Sequence, residues 1–315
     1  MNMMKIFSGN SNMEFAQKVA QAAGVELGHC DIGRFADGEI QVEIHESVRG
    51  CNVFLIQSTH PPVNENYMEC FMILDALKRA SASEITLVMP YYGYARQDRK
   101  VAPRAPISAK CVAELMKKAG ADRLVAVDLH AAQIQGFFDG PVDHLFAIPT
   151  LARAWREQMG HGDEFVCVSP DAGGVERVRA FSKRIECPIA IIDKRRSGPN
   201  EAKAYNLIGD VSGKTAIILD DMIDTAGTLC TAVDSLLANG AKKVFAVATH
   251  PVLSGPALTR LQESGVEKVW VTDTIPLKEA ARTSPKFQVI SVAPVVAEAI
   301  RRIYTYDSVS ALFDS

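Results

Sequence analysis

The order of apolar runs and polar breaks along the chain predicts an α/β protein. Lys5-Ile6-Phe7 reads as a first strand. Met13 to Ala23 reads as a helix whose apolar Phe15, Val19 and Ala22 share one face, with Ser11 as its N-cap. Gly33-Arg34-Phe35-Ala36-Asp37-Gly38-Glu39 leads into the alternating strand Ile40 to Ile44, and Asp37-Gly38 suits a hairpin turn. Val53 to Ile56 (strand), Glu65 to Arg79 (helix, after the Pro61-Pro62 turn) and Ile85 to Pro90 (strand) make one βαβ unit. Ala216 to Leu219, a loop, a helix to Asn239 and Lys243 to Ala248 make a second. Their junctions correspond too, Ala80-Ser81-Ala82-Ser83-Glu84 before one return strand and Ala238-Asn239-Gly240-Ala241-Lys242 before the other. Two similar α/β halves are therefore expected from a duplication, each a mainly parallel sheet flanked by helices. The first should span 1–146 and the second 147–294, with the closing segment 295–315, including a helix from Ala297 to Ile303, joining the first.

Between the two units lie strands over Leu124–Val127, Phe165–Val168 and Ile189–Ile192, each ending in polar residues. Ligands of open α/β sheets bind just beyond the carboxyl ends of strands, so these ends are the places to look for chemistry. The most informative is the end of the second βαβ strand, Ile218-Leu219-Asp220-Asp221-Met222-Ile223-Asp224-Thr225-Ala226-Gly227-Thr228. Its small residues and hydroxyls stand where a helix begins. The N–H groups of Thr225 to Thr228 can converge there on a phosphate, Gly227 lets the anion approach, and the helix dipole favours its charge. Asp220 and Asp221 would repel phosphate but can accept hydrogen bonds from vicinal sugar hydroxyls. An ordinary turn with Thr225 or Thr228 as N-cap is the plainer interpretation of a lone Thr-x-Gly-Thr. In the first half the same place holds Gln57-Ser58-Thr59-His60, so only the second half is expected to bind a sugar phosphate.

Asp171-Ala172-Gly173-Gly174 is a second turn able to offer backbone N–H groups to an anion, or simply a turn. Lys194, Arg195 and Arg196 form either a solvated basic loop or a mobile cationic lid for a transferring phosphoryl group. His130 is either a core histidine or a ligand of Mg²⁺, for which Asp171 is the more natural partner. Arg96 and Gln97 follow Tyr91-Tyr92-Gly93-Tyr94 and could hold a nucleotide by stacking and by Arg contacts to phosphate, or be a solvated turn.

Composition narrows the partners. The 315 residues, 48% hydrophobic and 23% charged, are a globular balance long enough for about two domains. A net charge of −3 offers no polycation for nucleic acid or an anionic membrane, so anion binding must be local. There is no apolar run of membrane-spanning length, and the start lacks a signal-peptide pattern, so a cytoplasmic protein is expected. The seven cysteines are odd in number and scattered, which suits reduced core thiols.

The Asp220 to Thr228 run resembles the 5-phosphoribosyl 1-diphosphate (PRPP) loop of type I phosphoribosyltransferases and PRPP synthetases. Five further segments choose between these families. Phe35-Ala36-Asp37-Gly38-Glu39, Tyr94 to Arg99, Asp128-Leu129-His130, Ser169 to Gly174 and Asp193 to Arg196 are each similar to a motif of ribose-phosphate pyrophosphokinases, in that family's order. The resemblance spans nearly the whole chain. It implies two phosphoribosyltransferase-like domains and attack by the C1 hydroxyl of ribose 5-phosphate on the β-phosphorus of MgATP, giving PRPP and AMP for nucleotide, histidine and tryptophan biosynthesis. It further implies that Phe35, Asp37, Gly38 and Glu39, from a neighbouring subunit, and Arg96 and Gln97 bind ATP. His130 and Asp171 would serve Mg²⁺, and Asp171, Gly173 and Gly174 would form a diphosphate loop. Lys194 and Arg196 would stabilise the transferring group, and Arg196, Asp220, Asp221, Asp224, Thr225, Ala226, Gly227 and Thr228 would hold ribose 5-phosphate. Members form hexamers built from dimers, and many are activated by phosphate and inhibited by ADP.

One segment departs from that family. Lys100-Val101-Ala102-Pro103-Arg104-Ala105-Pro106 is rich in Pro and Ala where regulated bacterial members carry a stretch with Arg and Ser, so altered allosteric control is expected. The lid at 194–200 is expected to be disordered without substrate. The alternative function is a non-catalytic regulatory relative, against which stand Lys194, Arg196, His130 and Asp171, all present.

Overall fold

The computed structural model describes residues 3–195 and 204–313. The chain divides into two compact units. The first comprises Met1–Phe146, Thr274–Pro276 and Val292–Ser315. It opens with β1 (Met4–Ser8), α1 (Met13–Ala23), the antiparallel hairpin β2 (Cys30–Arg34) and β3 (Ile40–Ile44), and β4 (Asn52–Ile56). It continues through α2 (Val63–Arg79), β5 (Glu84–Met89), α3 (Ser108–Ala119), β6 (Arg123–Val127) and β7 (Val142–Leu145). The sheet order is β1-β4-β5-β6-β7, all neighbours parallel. Strands covered on both faces need continuous apolar runs, and Val53 to Ile56 and Leu87 to Met89 are accordingly buried.

Asn12 caps α1 in place of the expected Ser11. Asn12 Oδ1 accepts from Phe15 N at 3.4 Å, whereas the Ser11 hydroxyl donates to Gln57 Oε1 (2.8 Å) and accepts from Ser58 N (3.0 Å), which holds it away from the helix.

The second unit comprises Ala147–Asp273 and Leu277–Ser291. Its elements are α4 (Ile148–Met159), β8 (Phe165–Ser169), α5 (Val175–Ile185), β9 (Ile189–Arg195), β10 (Ala204–Ile208), β11 (Thr215–Ile223) and α6 (Gly227–Ala238). There follow β12 (Lys243–Pro251), α7 (Ala257–Glu263), β13 (Val266–Thr272), α8 (Glu279–Arg282) and β14 (Phe287–Ile290). The sheet runs β10-β9-β8-β11-β12-β13-β14, and only β10 against β9 is antiparallel. Trp155 anchors the core, its ring edge-on to Phe245 at 5.2 Å between centroids and 5.0 Å from Trp270. Burial of each such ring contributes about 1.5–3 kcal/mol or more. The chain then re-enters the first unit as α9 (Ala293–Thr305), which packs on α1.

The expected α/β class with mainly parallel sheets is thus what the structure shows. β11 runs four residues beyond Leu219, so Asp220 and Asp221 lie in the strand and not in a loop. Of the cysteines, Cys51, Cys70 and Cys167 are buried, but Cys111 is exposed and Cys30, Cys187 and Cys230 are half-buried, so core thiols describe only some of them. Cys167 Sγ lies 3.3 Å from Cys187 Sγ.

Candidate active site

The strand–loop–helix junction of the second unit is built by three successive carbonyls. Ile223 O accepts from Leu253 N (2.9 Å), Asp224 O from Ser254 N (3.0 Å), and Thr225 O from Arg260 Nη1 (3.0 Å). In a trans peptide N–H points opposite to C=O, so the N–H groups of Asp224, Thr225 and Ala226 face away from the 253–260 segment. Ala226 then takes a left-handed conformation (φ +59°) and starts α6, whose first intrahelical bond is Cys230 N to Ala226 O at 2.9 Å. The N–H groups of Gly227, Thr228 and Leu229 precede that bond and open the helix. Outward-facing amides of Thr225 and Ala226 thus adjoin the positive end of α6, the setting that favours an anion. Thr225 and Thr228 are exposed beside it, and Gly227 is half-buried.

Asp220 and Asp221 flank this junction. Asp221 is buried, Asp220 half-buried, and Arg177 Nη1 lies 3.8 Å from a carboxylate oxygen of each. Asp220 Oδ1 also accepts from Asp221 N at 2.9 Å. Burial and the adjacent Asp221 carboxylate push the Asp220 carboxyl up to about 7, against the pull of Arg177. Arg177 was not foreseen. Its only signal is its place six residues after Asp171, in the first turn of α5.

The Asp171 turn follows β8. Asp171 Oδ1 accepts from Gly173 N (2.9 Å) and Gly174 N (3.1 Å), and Ser169 Oγ donates to Asp171 O (2.6 Å). The two amides expected to meet an anion are here taken by the turn's own carboxylate, so a diphosphate would have to displace it. A Cβ on Gly174 would lie 2.9 Å from Ser169 Oγ, which explains glycine there. Lys194 stands in β9 opposite Tyr205 of β10 by backbone register; its side chain, Arg196 and the rest of the expected lid lie outside the described residues.

In the first unit the hairpin tip carries Phe35, Asp37, Gly38 and Glu39, all exposed, with Phe35 at 52%. Phe35 N bonds Glu39 O (2.8 Å), Gly38 N bonds Phe35 O (2.9 Å), and Gly38 supplies the positive φ (+95°) the turn needs. Arg96 and Gln97 are exposed after β5, with Gln97 N on Tyr94 O at 2.9 Å. The neighbouring tyrosines do not offer stacking faces as expected: Tyr91 and Tyr92 are buried, and Tyr94 packs against Tyr67 at 5.8 Å. Their hydrophobic area wins a place in the core. His130 is exposed, which removes the core-histidine alternative. The loop corresponding to the phosphate junction is closed by its own bonds. Ser58 Oγ donates to Thr274 O, Thr59 Oγ1 to Tyr91 O, and Gln57 Nε2 to Glu69 Oε1, with Gln57, Ser58 and Thr59 all buried. A buried carboxylate and consumed donors leave nothing there for a phosphate. Among the described residues no group of three or more His, Cys, Asp or Glu side chains could hold a metal ion.

Residues 4–120 match the family described as the N-terminal domain of ribose phosphate pyrophosphokinase, and residues 195–314 match the phosphoribosyl synthetase-associated domain. The chain is 54% identical to the ribose-phosphate pyrophosphokinase of Bacillus caldolyticus over 99% of its own length and 98% of that protein's. It is equally similar, at 54% and 99% of both chains, to the one of Fusobacterium nucleatum, and 53% identical over 98% and 97% to that of Bacillus subtilis. Among solved structures, phosphoribosylpyrophosphate synthetase from Mycobacterium smegmatis superposes with a TM-score of 0.91 at 45% identity, covering 97% of this chain and all of that one. With fold and full-length similarity in agreement, the chain belongs to the ribose-phosphate pyrophosphokinase (PRPP synthetase) family.

Proposed function

We propose that the chain transfers the β,γ-diphosphoryl group of MgATP to the C1 hydroxyl of ribose 5-phosphate, with the junction at Asp224 to Thr228 holding the 5-phosphate. The observation that carries this reading is the run of three carbonyls turned into the 253–260 segment, which leaves the following amides to an anion at a helix start beside a carboxylate pair. Asp220, in its ionised form, accepts hydrogen bonds from the ring hydroxyls, and Asp221, paired with Arg177, supports it. The C1 oxygen forms its new bond to the β-phosphorus while the bond from that phosphorus to the α-phosphate oxygen breaks. The electron pair leaves with AMP, and the hydroxyl proton is released. Little covalent work falls to the protein, so Lys194 and Arg196 act by stabilising charge on the group in flight.

Mg²⁺ would fit the Asp171 turn, because Oδ1 is bonded to two amides and the second carboxylate oxygen suits a hard cation. When bound, the ion neutralises charge on the diphosphoryl oxygens. Arg96 and Gln97 bind ATP, joined by Phe35, Asp37, Gly38 and Glu39 of a neighbouring subunit in a hexamer built from dimers. Support for the latter is the exposure of the entire hairpin tip, including an aromatic ring. Among the described residues no helix is long and apolar enough to cross a membrane, and we place the enzyme in the cytoplasm, where both substrates are found.

The bond that breaks is the test. ³¹P NMR of the products should show AMP and a diphosphate ester at C1 in equal amounts, formed only with ribose 5-phosphate. ADP and a singly phosphorylated C1 would contradict β-phosphorus attack.

A further inference from the structure

We propose that Arg260 is a positioning residue for ribose 5-phosphate, holding the Thr225–Ala226 peptide in the one orientation that turns its N–H toward the 5-phosphate. The proposal rests on the reading that this junction binds that phosphate. The carbonyls of Ile223 and Asp224 are held by the backbone amides of Leu253 and Ser254, so no side-chain change can release them. The third, Thr225 O, is held by a side chain, Arg260 Nη1 at 3.0 Å. That peptide is also the one under conformational tension, since it is followed by Ala226 at φ +59°, a region that residues with a Cβ seldom occupy.

Rotating the 225–226 peptide by about half a turn would carry Ala226 back to negative φ and relieve the tension. It would also aim Thr225 C=O at the anion. Arg260 opposes this flip with a charge-assisted hydrogen bond. Its guanidinium lies against the helix start as well: a Cβ on Gly227 would sit 3.2 Å from Arg260 Nη1. One positive charge thus stands beside the amides that receive the phosphate. α7 holds Arg260 in place through buried Ala257 and Leu261, while Arg260 itself is exposed, so its replacement leaves the core untouched.

Steady-state kinetics of Arg260→Gln, Arg260→Lys, the double variant Arg260→Gln/Ala226→Gly, and Thr228→Val test the idea in the full-length enzyme. We expect Arg260→Gln to raise KM for ribose 5-phosphate about tenfold or more, the worth of one charge-assisted hydrogen bond, with kcat and KM for ATP within about twofold of wild type. Lysine should restore part of the loss. The added glycine should restore part too, because it occupies the left-handed region without strain and no longer favours the flipped peptide. An unchanged KM in Arg260→Gln, with Thr228→Val impaired, would overturn the brace and leave the phosphate junction standing. Equal losses toward both substrates without rescue by glycine would also overturn it, as a general structural role. An unimpaired Thr228→Val would remove the junction reading itself, and the proposal with it.

Discussion

In the proposed function Asp220 must be ionised to accept sugar hydroxyls, whereas its surroundings favour the neutral form. Burial and Asp221 raise its carboxyl to about 7, so in the folded protein it binds a proton between the ordinary carboxylate range and neutrality that the unfolded chain would not. The ionised form that accepts sugar hydroxyls is therefore gained as pH rises through 7. KM for ribose 5-phosphate should fall between about pH 6 and pH 8. Asp220→Asn should raise KM by about tenfold to a hundredfold and flatten that component of the profile. A wild-type slope retained in the variant would show that another group titrates. A second residue-level expectation concerns Gly174. Alanine there forces its Cβ against Ser169 Oγ and should open the Asp171 turn, weakening Mg²⁺-dependent activity while ribose 5-phosphate binding is kept; equal loss of both would contradict separate sites. Asp220 to Thr228 stood out in the sequence because acids and hydroxyls directly after an apolar strand have few other uses. Arg177 and Arg260 did not, since each meets the site across a turn of tertiary structure, 43 and 35 residues away from Asp220 and Thr225 respectively.

Elements were legible where a buried strand made an unbroken apolar run, as in β4, β8 and β11. They were missed where the pattern was broken. β13 carries Glu267 and Lys268 within the strand, β14 is four residues long, and α4 sets Arg153 and Arg156 on its exposed side among the apolar positions Leu151, Ala152 and Trp155, so it shows no apolar run. The β2–β3 hairpin was visible, but its projecting tip gains meaning only from exposure. Phe35→Ala should raise KM for ATP several-fold, the scale of one lost aromatic contact, and leave KM for ribose 5-phosphate unchanged. The reverse pattern would remove the tip from the ATP site. The segment 101–104 forms an exposed bend and turn, with Arg104 at φ +66° and Ala105 N on Ala102 O at 3.2 Å. We expect ADP to compete with ATP hyperbolically in this enzyme. Cooperative inhibition relieved by phosphate would contradict a weakened effector response.

At the scale of the whole molecule, the first unit is completed only by the last part of the chain. α9 buries Val296, Ala297 and Ile300 and packs on α1, whose Phe15 and Val19 are buried. Ile300→Asp should therefore destabilise the first unit by about 3 kcal/mol or more, read as an early transition in calorimetry, whereas Glu298→Gln, at a half-buried residue paired with Arg301 and Arg302, should cost about 1 kcal/mol or less. The two matched βαβ units read from the sequence are β4–α2–β5 and β11–α6–β12, one in each compact unit. The difference between the two loops was readable too, from the acids and hydroxyls of one against Gln57 to His60 of the other, and the latter's side chains are taken up by internal bonds. What most directly tests the central claim is AMP and PRPP formation from MgATP, with and without ribose 5-phosphate, in wild type and Lys194→Ala. We predict sugar-dependent AMP release matched one-to-one by PRPP, and its loss by about a hundredfold or more in a folded Lys194→Ala that still binds both substrates. AMP release independent of the sugar, or full activity without the lysine, would contradict it.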